Sequence, residues 1–438
     1  MSPNARFLSM KVLGQFDKTN KQLSLIRQQV FSQYKPEGMA KARVMVLTNE
    51  CIRLRDRLDL VITTISGRDL KHFNSSLISI LRIGFFEILY DEDTPNYATV
   101  DSAVNLTKQV LNRKASGLTN AVLRNLIRTL ERDVDWNQDL MKKAKWHSVP
   151  KWLQSRWRTQ FGEKGMYALC GTFNQSPNTF IRVNTSIISL EEIQNELSSL
   201  DIKSKNVYGP FLKIDSGAGK ILFTEFFKNG TISIQNPGAG ALVDLLDLQY
   251  GDFVLDVCAA PGTKSLYMAE KVGESGKVFA SDADKDRVNR GKNDMGRHGH
   301  KSIEWSVKNA TKNSFPVSDK ILIDVPCSGT GVMRRKPDIR WRRQENDIQS
   351  FSTLQSKMLN HMSQFLNPGG TLVYGTCSLE PEENWNVVEQ FLKLNPSFRL
   401  VASNSDLPEE WINDNGCLQT FPHVHGVDGM FAAKITRT

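Results

Sequence analysis

Residues 252–266 read Asp-Phe-Val-Leu-Asp-Val-Cys-Ala-Ala-Pro-Gly-Thr-Lys-Ser-Leu, an order that predicts a buried strand, a turn of small residues and the start of a helix. Ala259, Ala260 and Gly262 have little or no side chain, so the backbone of this turn can approach a ligand closely. The helix that follows offers unpaired backbone N–H groups in its first turn. Strand and helix patterns alternate through the rest of the chain, which predicts an α/β fold with a parallel sheet and crossover helices.

The next strand pattern ends in an acid. It reads Lys277-Val-Phe-Ala-Ser and runs into Asp282, where a carboxylate can accept hydrogen bonds from ribose hydroxyls. Residues 261–265 partly match a phosphate-binding P-loop, but that motif needs glycine directly before the lysine and again five residues earlier. Thr263 and Cys258 occupy those positions, which excludes a P-loop and favours a nucleoside ligand without phosphates.

Two cysteines follow two further apolar runs. Cys327 lies in Asp324-Val-Pro-Cys-Ser-Gly-Thr-Gly331, and Cys377 lies in Tyr374-Gly-Thr-Cys-Ser-Leu-Glu-Pro-Glu-Glu-Asn384. The loops at the carboxyl ends of parallel strands form the ligand crevice of such a sheet, so two distant thiols can converge on one substrate. A single cysteine is more often a small core residue, but the pair in these contexts favours catalysis.

Methylation at C5 of a pyrimidine needs two groups of this kind. The ring carbon is a poor nucleophile until a thiolate adds to C6, and a base must later remove the C5 proton so that the thiolate can leave. The nucleoside pattern of residues 252–282 would hold the methyl donor, and S-adenosylmethionine (SAM) is an adenosine ligand without phosphates. The sequence therefore predicts a SAM-dependent methyltransferase.

A longer stretch carries a family resemblance. Residues 321–341 read Ile-Leu-Ile-Asp-Val-Pro-Cys-Ser-Gly-Thr-Gly-Val-Met-Arg-Arg-Lys-Pro-Asp-Ile-Arg-Trp, which resembles the RNA 5-methylcytosine methyltransferases, and especially their bacterial 16S ribosomal RNA (rRNA) members, almost residue for residue. The resemblance covers most of residues 236–438 and is weaker over the N-terminal third. It implies methylation of C5 of a cytidine in 16S rRNA by SAM, through a covalent cysteine–C6 adduct.

The resemblance also implies a fold and its domains. The fold class is α/β, with a Rossmann-like SAM-dependent methyltransferase domain over residues 236–438. An N-terminal all-helical NusB-like RNA-binding domain is expected over residues 1–140, and a small α+β linker domain with RNA contacts over residues 141–235. Within the first domain, residues 99–108 and 117–126 resemble the RNA-binding antitermination factor NusB. A helical bundle that only packs against the enzyme is the alternative, because fold alone does not establish function.

Site residues follow from the same resemblance. Cys377 is the implied nucleophile and Cys327 the implied base at C5, while Asp324 would also polarise the N3/N4 edge of the cytosine. Asn309 departs from the family, which usually has Asp there, although an amide can still hydrogen-bond to an adenine edge. The residues expected to bind the cofactor are Cys258, Ala259, Ala260, Pro261, Gly262, Thr263, Lys264, Asp282, Asn309 and Asp324.

Basic segments agree with a nucleic-acid partner. The 438-residue chain has a net charge of +9 and a pI of about 9.1, although many basic proteins bind no nucleic acid. The cations of residues 142–158 are expected to contact phosphates, and Ser148 is expected to cap a helix that runs through Phe161. A second basic run, residues 334–343, follows Cys327 closely and is expected to grip phosphates around an extruded base.

Composition sets further expectations. The six cysteines form no CxxC pair, so neither a zinc site nor a disulfide framework is expected. His423 and His425 do not predict a metal site either, because no third ligand residue lies at a suitable spacing from them. No signal peptide or membrane-spanning run is recognised, so the sequence predicts a cytoplasmic monomer without a metal and without a membrane partner.

Alternative functions remain at this point. One is an RNA cytosine-5 methyltransferase that acts on tRNA or large-subunit rRNA. Another is a catalytically dead RNA-binding or assembly protein, against which the intact Cys327, Cys377, Asp324 and Lys264 argue. DNA methylation is disfavoured, because DNA enzymes with this chemistry place the nucleophile in a Pro-Cys-Gln context, whereas Cys377 follows Thr376.

Overall fold

The computed structural model describes residues 4–402 and 406–438. The chain divides into two compact units, of which the first contains residues 1–176 and 333–343 and the second residues 177–332 and 344–438. The three-domain layout with boundaries near residues 140 and 235 stays a prediction. Among the helices of the described ranges, none is long and apolar enough to cross a bilayer.

The first unit consists of helices, as expected for the N-terminal part. Its helices are α1 (Ala5–Lys18), α2 (Leu23–Tyr34), α3 (Gly38–Arg53), α4 (Arg55–Ser66), α5 (Ser75–Tyr90), α6 (Asn96–Val110), α7 (Arg113–Arg132), α8 (Gln138–Met141), α9 (Lys151–Phe173) and α15 (Ile339–Arg342). Asn74 begins α5 by accepting a hydrogen bond from the backbone N of Ser76 at 2.8 Å. The apolar residues of α5, such as Leu81 and Phe85, are fully buried in the core of the unit.

Helix α9 begins differently from its prediction. Pro150 stands at the N-cap position, and the Ser148 hydroxyl instead accepts a hydrogen bond from the backbone N of Asp56 at 3.2 Å. The helix also continues to Phe173, across a break at Gly162, where φ is +70°. The predicted Ser148 cap is therefore wrong, whereas the predicted helix through Phe161 is confirmed, since the break falls at the next residue.

The basic run after Cys327 belongs to the helical unit, because residues 333–343 pack there. The Arg340 guanidinium is fully buried and donates hydrogen bonds to the backbone oxygens of Arg53, Ser148 and Phe173 and to the side-chain oxygen of Asn174. Burial lowers the pKa of Arg340 to about 9. The prediction that this run grips phosphates is therefore wrong for Arg340.

The residues after Arg340 are also engaged inside this unit. Trp341 Nε1 donates to the backbone O of Ile52 at 2.8 Å. Arg342 donates to the backbone O of Phe16 at 2.7 Å and to that of Lys21 at 3.0 Å. The Arg342 contacts therefore use guanidinium donors that the sequence pattern predicted to bind RNA phosphates.

We expect Arg340→Ala to lower the free energy of unfolding of the full-length protein by at least ~3 kcal/mol, because several buried acceptors are left without their donor. Calorimetric or urea unfolding measures this decrease. The matched control is Lys336→Ala, which removes an exposed cation of the same segment and should change stability by less than ~0.5 kcal/mol. Equal stability of the two variants would contradict the structural role of Arg340.

The second unit contains two sheets. Its strands are β1 (Thr179–Val183), β2 (Lys203–Tyr208), β3 (Phe211–Ser216), β4 (Ile232–Ile234), β5 (Phe253–Val257), β6 (Lys277–Asp282), β7 (Ile303–Val307), β8 (Ser318–Asp324), β9 (Leu366–Thr376), β10 (Phe398–Leu400), β11 (Leu418–Gln419) and β12 (Phe431–Arg437). Its helices are α10 (Leu190–Ser199), α11 (Glu225–Lys228), α12 (Pro237–Asp244), α13 (Thr263–Val272), α14 (Lys285–His298), α16 (Glu345–Met362), α17 (Trp385–Leu394) and α18 (Pro422–His425).

The smaller sheet is antiparallel, with strand order β2-β3-β1-β4. Helix α10 begins at Ser189, whose hydroxyl accepts from the backbone N of Glu192 while the Glu192 carboxylate accepts from the backbone N of Ser189. Ile193 and Leu197 on its buried face pack with Ile181 and Leu212 of the sheet. A helix packed on an antiparallel sheet gives this part of the chain the predicted α+β character.

The larger sheet has the order β10-β12-β9-β8-β5-β6-β7, with β11 beside β12. Strands β7, β6, β5, β8 and β9 are parallel, and β12 pairs antiparallel with β9. The chain runs outward from β5 to β6 and β7 and then returns to β8 on the other side of β5. This reversal places a ligand crevice at the carboxyl ends of β5 and β8. The predicted parallel sheet is confirmed, and β12 adds an antiparallel C-terminal strand to it.

Candidate active site

The turn between β5 and α13 adopts backbone conformations that small residues favour. Cys258 has φ of +67° and Gly262 has φ of +111°. A Cβ atom on Gly262 would lie only 2.9 Å from the ring of Trp305, so this position has no room for a side chain. The turn borders a cavity of about 660 Å³, which is also lined by Asp282, Asn309 and Pro326.

Acceptors for a nucleoside lie in this cavity. Asp282 is buried at the end of β6, and its Oδ1 accepts a hydrogen bond from the backbone N of Asp284 at 3.0 Å. Its Oδ2 accepts no hydrogen bond from the described residues, although Arg287 Nη1 lies 3.2 Å away as an ion-pair partner. A buried acceptor that faces such a cavity suits a ribose hydroxyl, so the residues present fit the nucleoside part of SAM.

Asn309 lines the same cavity, in the loop after β7. Its Oδ1 accepts hydrogen bonds from the backbone N and the hydroxyl of Thr311, at 2.8 and 2.7 Å. These two bonds fix the orientation of the amide, so that its NH₂ group is the part left to meet a ligand. The family's usual Asp would offer no donor here, so Asn309 changes the hydrogen-bonding character of this edge.

A lysine and two aspartates form a charged cluster beside the turn. Lys264 Nζ lies 2.6 Å from Asp324 Oδ2, between the first turn of α13 and the end of β8. Burial opposes the ammonium charge, but the Asp324 carboxylate outweighs it and raises the pKa of Lys264. Asp256, on β5, is fully buried, and this burial raises the pKa of its carboxyl to about 7.

The two cysteines meet at the ends of neighbouring strands. Strand β8 pairs with β9 so that Asp324 lies opposite Gly375, and the sulfur atoms of Cys327 and Cys377 are 3.2 Å apart. The backbone N of Cys377 also donates to Cys327 Sγ at 3.4 Å. Contact with the Cys377 sulfur, together with burial, raises the pKa of the Cys327 thiol well above its usual range. The charge of Lys264 interacts with Cys377 as well.

Cys258 is a thiol of a different kind. Burial and the carboxylates of Asp282, Asp324 and Asp256 raise its pKa well above the usual range, which disfavours the thiolate. It lines the nucleoside cavity rather than the thiol pair. The remaining predicted cofactor residues, Ala259, Ala260, Pro261 and Thr263, form the turn itself.

Glu383 is the residue that sequence reasoning missed. Its buried carboxylate accepts hydrogen bonds from the backbone N of Ser328 at 2.8 Å and from the hydroxyl of Ser378 at 2.6 Å. Gln355 donates to the same carboxylate at 2.9 Å and to the backbone O of Pro326 at 3.0 Å. Glu383 thus holds the residues that directly follow Cys327 and Cys377. The run Glu-Pro-Glu-Glu after Cys377 shows that carboxylates are present, but it does not show which of them points into the protein.

A further cluster has the composition of a metal site. Ligand atoms of Glu270, His298 and His300 lie within 4.8 Å of one another. However, Glu270 is ion-paired with the buried Arg182, and Arg297 donates to His298 Nε2 at 2.7 Å. These two guanidinium groups oppose the binding of a cation. The expectation of a protein without a metal stays a prediction.

Comparison with known proteins agrees with this fold and site. Residues 243–436 match the family described as 16S rRNA methyltransferase RsmB/F, residues 3–128 the NusB family, and residues 149–210 the RsmF/B-like ferredoxin-like domain. The ribosomal RNA small subunit methyltransferase B of Photorhabdus laumondii is 30% identical over 99% of both chains. A probable enzyme of the same name from Bacillus subtilis is 30% identical over 82% of this chain and 83% of its own.

A solved structure supports the fold over the whole length. The crystal structure of PH0851 superposes with a TM-score of 0.77, covers 100% of both chains and is 24% identical in sequence. The parallel sheet, the nucleoside cavity and these matches define a Rossmann-like SAM-dependent methyltransferase with a NusB-like helical part and a ferredoxin-like module. The chain belongs to the ribosomal RNA small subunit methyltransferase B family. The predicted fold class, family and cofactor are thereby confirmed.

Proposed function

We propose that the protein methylates C5 of a cytidine in 16S rRNA, with SAM as the methyl donor and a covalent bond between a cysteine and C6. The observation that carries the proposal is the pair of sulfur atoms 3.2 Å apart at the ends of β8 and β9, beside the Lys264–Asp324 ion pair. Methylation at nitrogen or at a ribose hydroxyl needs no thiol pair. The names of the curated relatives support 16S rRNA as the substrate.

In the first step, the Cys377 thiolate adds to C6, and the electron pair of the C5=C6 bond becomes available at C5. The ammonium of Lys264 favours the thiolate form, because its charge acts on Cys377. Lys264 also holds Oδ2 of Asp324, so that Oδ1 of this carboxylate is left to accept from the N4 amino group of the cytosine. This contact orients the ring and fixes it as cytosine rather than uracil.

When bound in the cavity lined by Asp282 and Asn309, SAM would supply the methyl group for C5. In the last step, the Cys327 thiolate takes the C5 proton, the electrons of the C5–H bond re-form the C5=C6 bond, and the C6–S bond to Cys377 breaks. Contact with the Cys377 sulfur and burial raise the pKa of Cys327, which disfavours its thiolate, and the small fraction of thiolate that forms is a correspondingly strong base.

The substrate is tested by bisulfite sequencing of RNA from a strain that lacks this protein. We expect one protected cytidine of 16S rRNA to become fully convertible, and re-expression of the wild-type chain to restore protection. Loss of protection in tRNA or 23S rRNA instead would indicate that one of these alternative RNAs is the substrate. Unchanged protection in every RNA would contradict the proposed function and favour a dead assembly protein.

The role of Glu383 is tested by Glu383→Gln. The amide cannot accept all the hydrogen bonds that the carboxylate accepts, so the loops of both cysteines should shift by a fraction of an ångström. We expect kcat for methyl transfer to fall by about tenfold, less than the ~100-fold that a misplacement of ~1 Å costs, with SAM affinity unchanged. The matched control is Glu389→Gln on α17, where the described residues give Glu389 no ion-pair partner besides Lys393, and it should keep the wild-type kcat.

A wild-type kcat in Glu383→Gln would contradict a positioning role for Glu383. Loss of SAM binding together with kcat would indicate a general structural defect instead.

A further inference from the structure

Arg182 on β1 carries a guanidinium that no step of the proposed reaction uses. Its side chain is fully buried, with an exposed fraction of 0%. Strand β1 pairs with β3 and β4, so the residue belongs to the smaller, antiparallel sheet. The guanidinium nevertheless reaches helix α13, which begins at the cofactor turn.

Three residues of α13 contact this guanidinium. Arg182 Nε donates to Oε2 of Glu270 at 3.0 Å, and Nη2 pairs with the other oxygen of the same carboxylate. Nη1 donates to the backbone O of Thr263 at 3.2 Å, and the guanidinium lies over the ring of Tyr267, 4.6 Å from its centroid. Residues 263, 267 and 270 share one side of the helix. Arg182 therefore holds the first two turns of α13 along a single face.

The carbonyl held by Arg182 lies where the turn becomes a helix. Thr263 directly follows Gly262, whose φ of +111° closes the turn, and directly precedes Lys264. The Lys264 ammonium has a partner of its own in Asp324, at 2.6 Å. A displaced Thr263 would thus move the backbone at the start of the helix, which is the part that a ligand of the turn approaches, while the Lys264 ammonium stays held.

The arginine supplies direction rather than net stability. A buried ion pair contributes little to stability, because taking two charges out of water costs about as much as their attraction returns. A guanidinium, however, has donors in fixed directions, so Arg182 can bind Glu270 through two nitrogens and still donate from Nη1 to Thr263 and to Gln235 Oε1. Gln235 is itself bound to the smaller sheet, since its backbone N donates to the backbone O of Phe180 at 3.2 Å.

We propose that Arg182 is a positioning residue for SAM binding, which fixes the start of α13 against the smaller sheet through Thr263 and Glu270. Arg182 acts through the turn and touches no reacting atom. A turn that is already held in place binds its ligand without an ordering cost, so loss of these contacts should weaken SAM binding. The inference deepens the proposed function and rests on it only for SAM as the methyl donor.

The test measures the Kd of SAM for the full-length protein by calorimetry, without RNA. Arg182→Lys keeps the charge, but a single ammonium cannot reproduce the fork of contacts with Glu270 and Thr263. We expect Kd to rise about tenfold, equivalent to ~1.4 kcal/mol. In methyl transfer, KM for SAM should rise in the same proportion, while kcat at saturating SAM stays within about twofold of wild type.

The matched control is Arg82→Lys. It makes the same change at another buried arginine, whose carboxylate partners Asp17 and Asp59 belong to the helical unit. This variant also loses a buried ion pair with two contacts, but its Kd for SAM should remain at the wild-type value.

A second variant separates positioning from stability. Arg182→Met/Glu270→Met removes both charges and leaves no buried ion without its partner, and replacements of this kind are often neutral or stabilising. We expect its midpoint of thermal unfolding to equal or exceed that of wild type, and its Kd for SAM to be raised about tenfold, as in Arg182→Lys.

A wild-type Kd in both Arg182 variants would overturn the proposal and leave the ion pair a structural role only. A raised Kd in Arg182→Lys with a wild-type Kd in the double variant would also overturn it, because strain from the new ammonium would then be the cause. An equal increase in Arg82→Lys would overturn it as well, since any lost buried ion pair would have the same effect. A wild-type protein that binds SAM but forms no 5-methylcytidine would contradict the proposed function alone.

Discussion

Cys327→Ala should form a covalent enzyme–RNA complex that survives denaturing electrophoresis. The variant retains Cys377, so the thioether to C6 can form and C5 can accept the methyl group. It lacks the sulfur that lies 3.2 Å from Cys377 and would take the C5 proton. Without removal of that proton, β-elimination cannot expel Cys377, and turnover should fall by at least ~1,000-fold, since general-base catalysis contributes ~10²–10⁴-fold.

The complex is measured with SAM and unmethylated 16S rRNA on a denaturing gel. Its formation should require SAM for full yield and should disappear in the double variant Cys327→Ala/Cys377→Ala. A complex in neither single variant would contradict a catalytic role for the pair. In that case the only effect of Cys327→Ala would be the removal of a buried packing group, measured as a lower midpoint of unfolding.

Cys377→Ala should abolish methyl transfer and should give no covalent complex. Cys377 directly follows β9, and the ammonium of Lys264 acts on it, whereas the high pKa of Cys258 disfavours a thiolate there. Cys327 is the other thiol beside this position, and its raised pKa disfavours a thiolate there too. No second nucleophile is therefore ready to add to C6, and we expect turnover to fall below detection, a decrease of at least ~10⁴-fold.

SAM binding provides the control for this variant, because the cavity lined by Asp282 and Asn309 does not include Cys377. Calorimetry should give a wild-type Kd for SAM. Cys417→Ala, which changes a buried thiol of the core that does not line the cavity, should retain full methyl transfer. Residual methylation by Cys377→Ala would contradict the role of Cys377 as the nucleophile.

Strand ends made the site predictable from the sequence. Asp282, Asp324 and Cys377 each follow an apolar run, and the carboxyl ends of parallel strands meet at one edge of a sheet. A sequence that specifies these parallel strands therefore specifies that these side chains share one edge. Which of them become neighbours depends on the strand order, which the sequence pattern did not predict: β8 lies beside β9, and this brings Cys327 and Cys377 together.

Contacts made by loops were not predictable in this way. Arg340 lies in a basic run that reads as a solvated loop, yet its guanidinium is buried among backbone oxygens of the helical unit. Glu383 follows two other glutamates, and only the three-dimensional path of the loop turns its carboxylate toward Ser328 and Ser378. The residue type specifies the charge of a side chain but not the direction in which it points. The roles of such side chains can therefore be assigned only when their tertiary contacts are known.

The central claim is that Cys377 attacks the cytosine while Cys327 releases it. The most direct measurement is tandem mass spectrometry of the complex formed by Cys327→Ala, after digestion of the RNA by nucleases and of the protein by a protease. We predict a methylated cytidine nucleotide attached to the sulfur of Cys377. A nucleotide on any other residue, or a complex that forms in Cys377→Ala with the nucleotide on Cys327, would contradict the assignment.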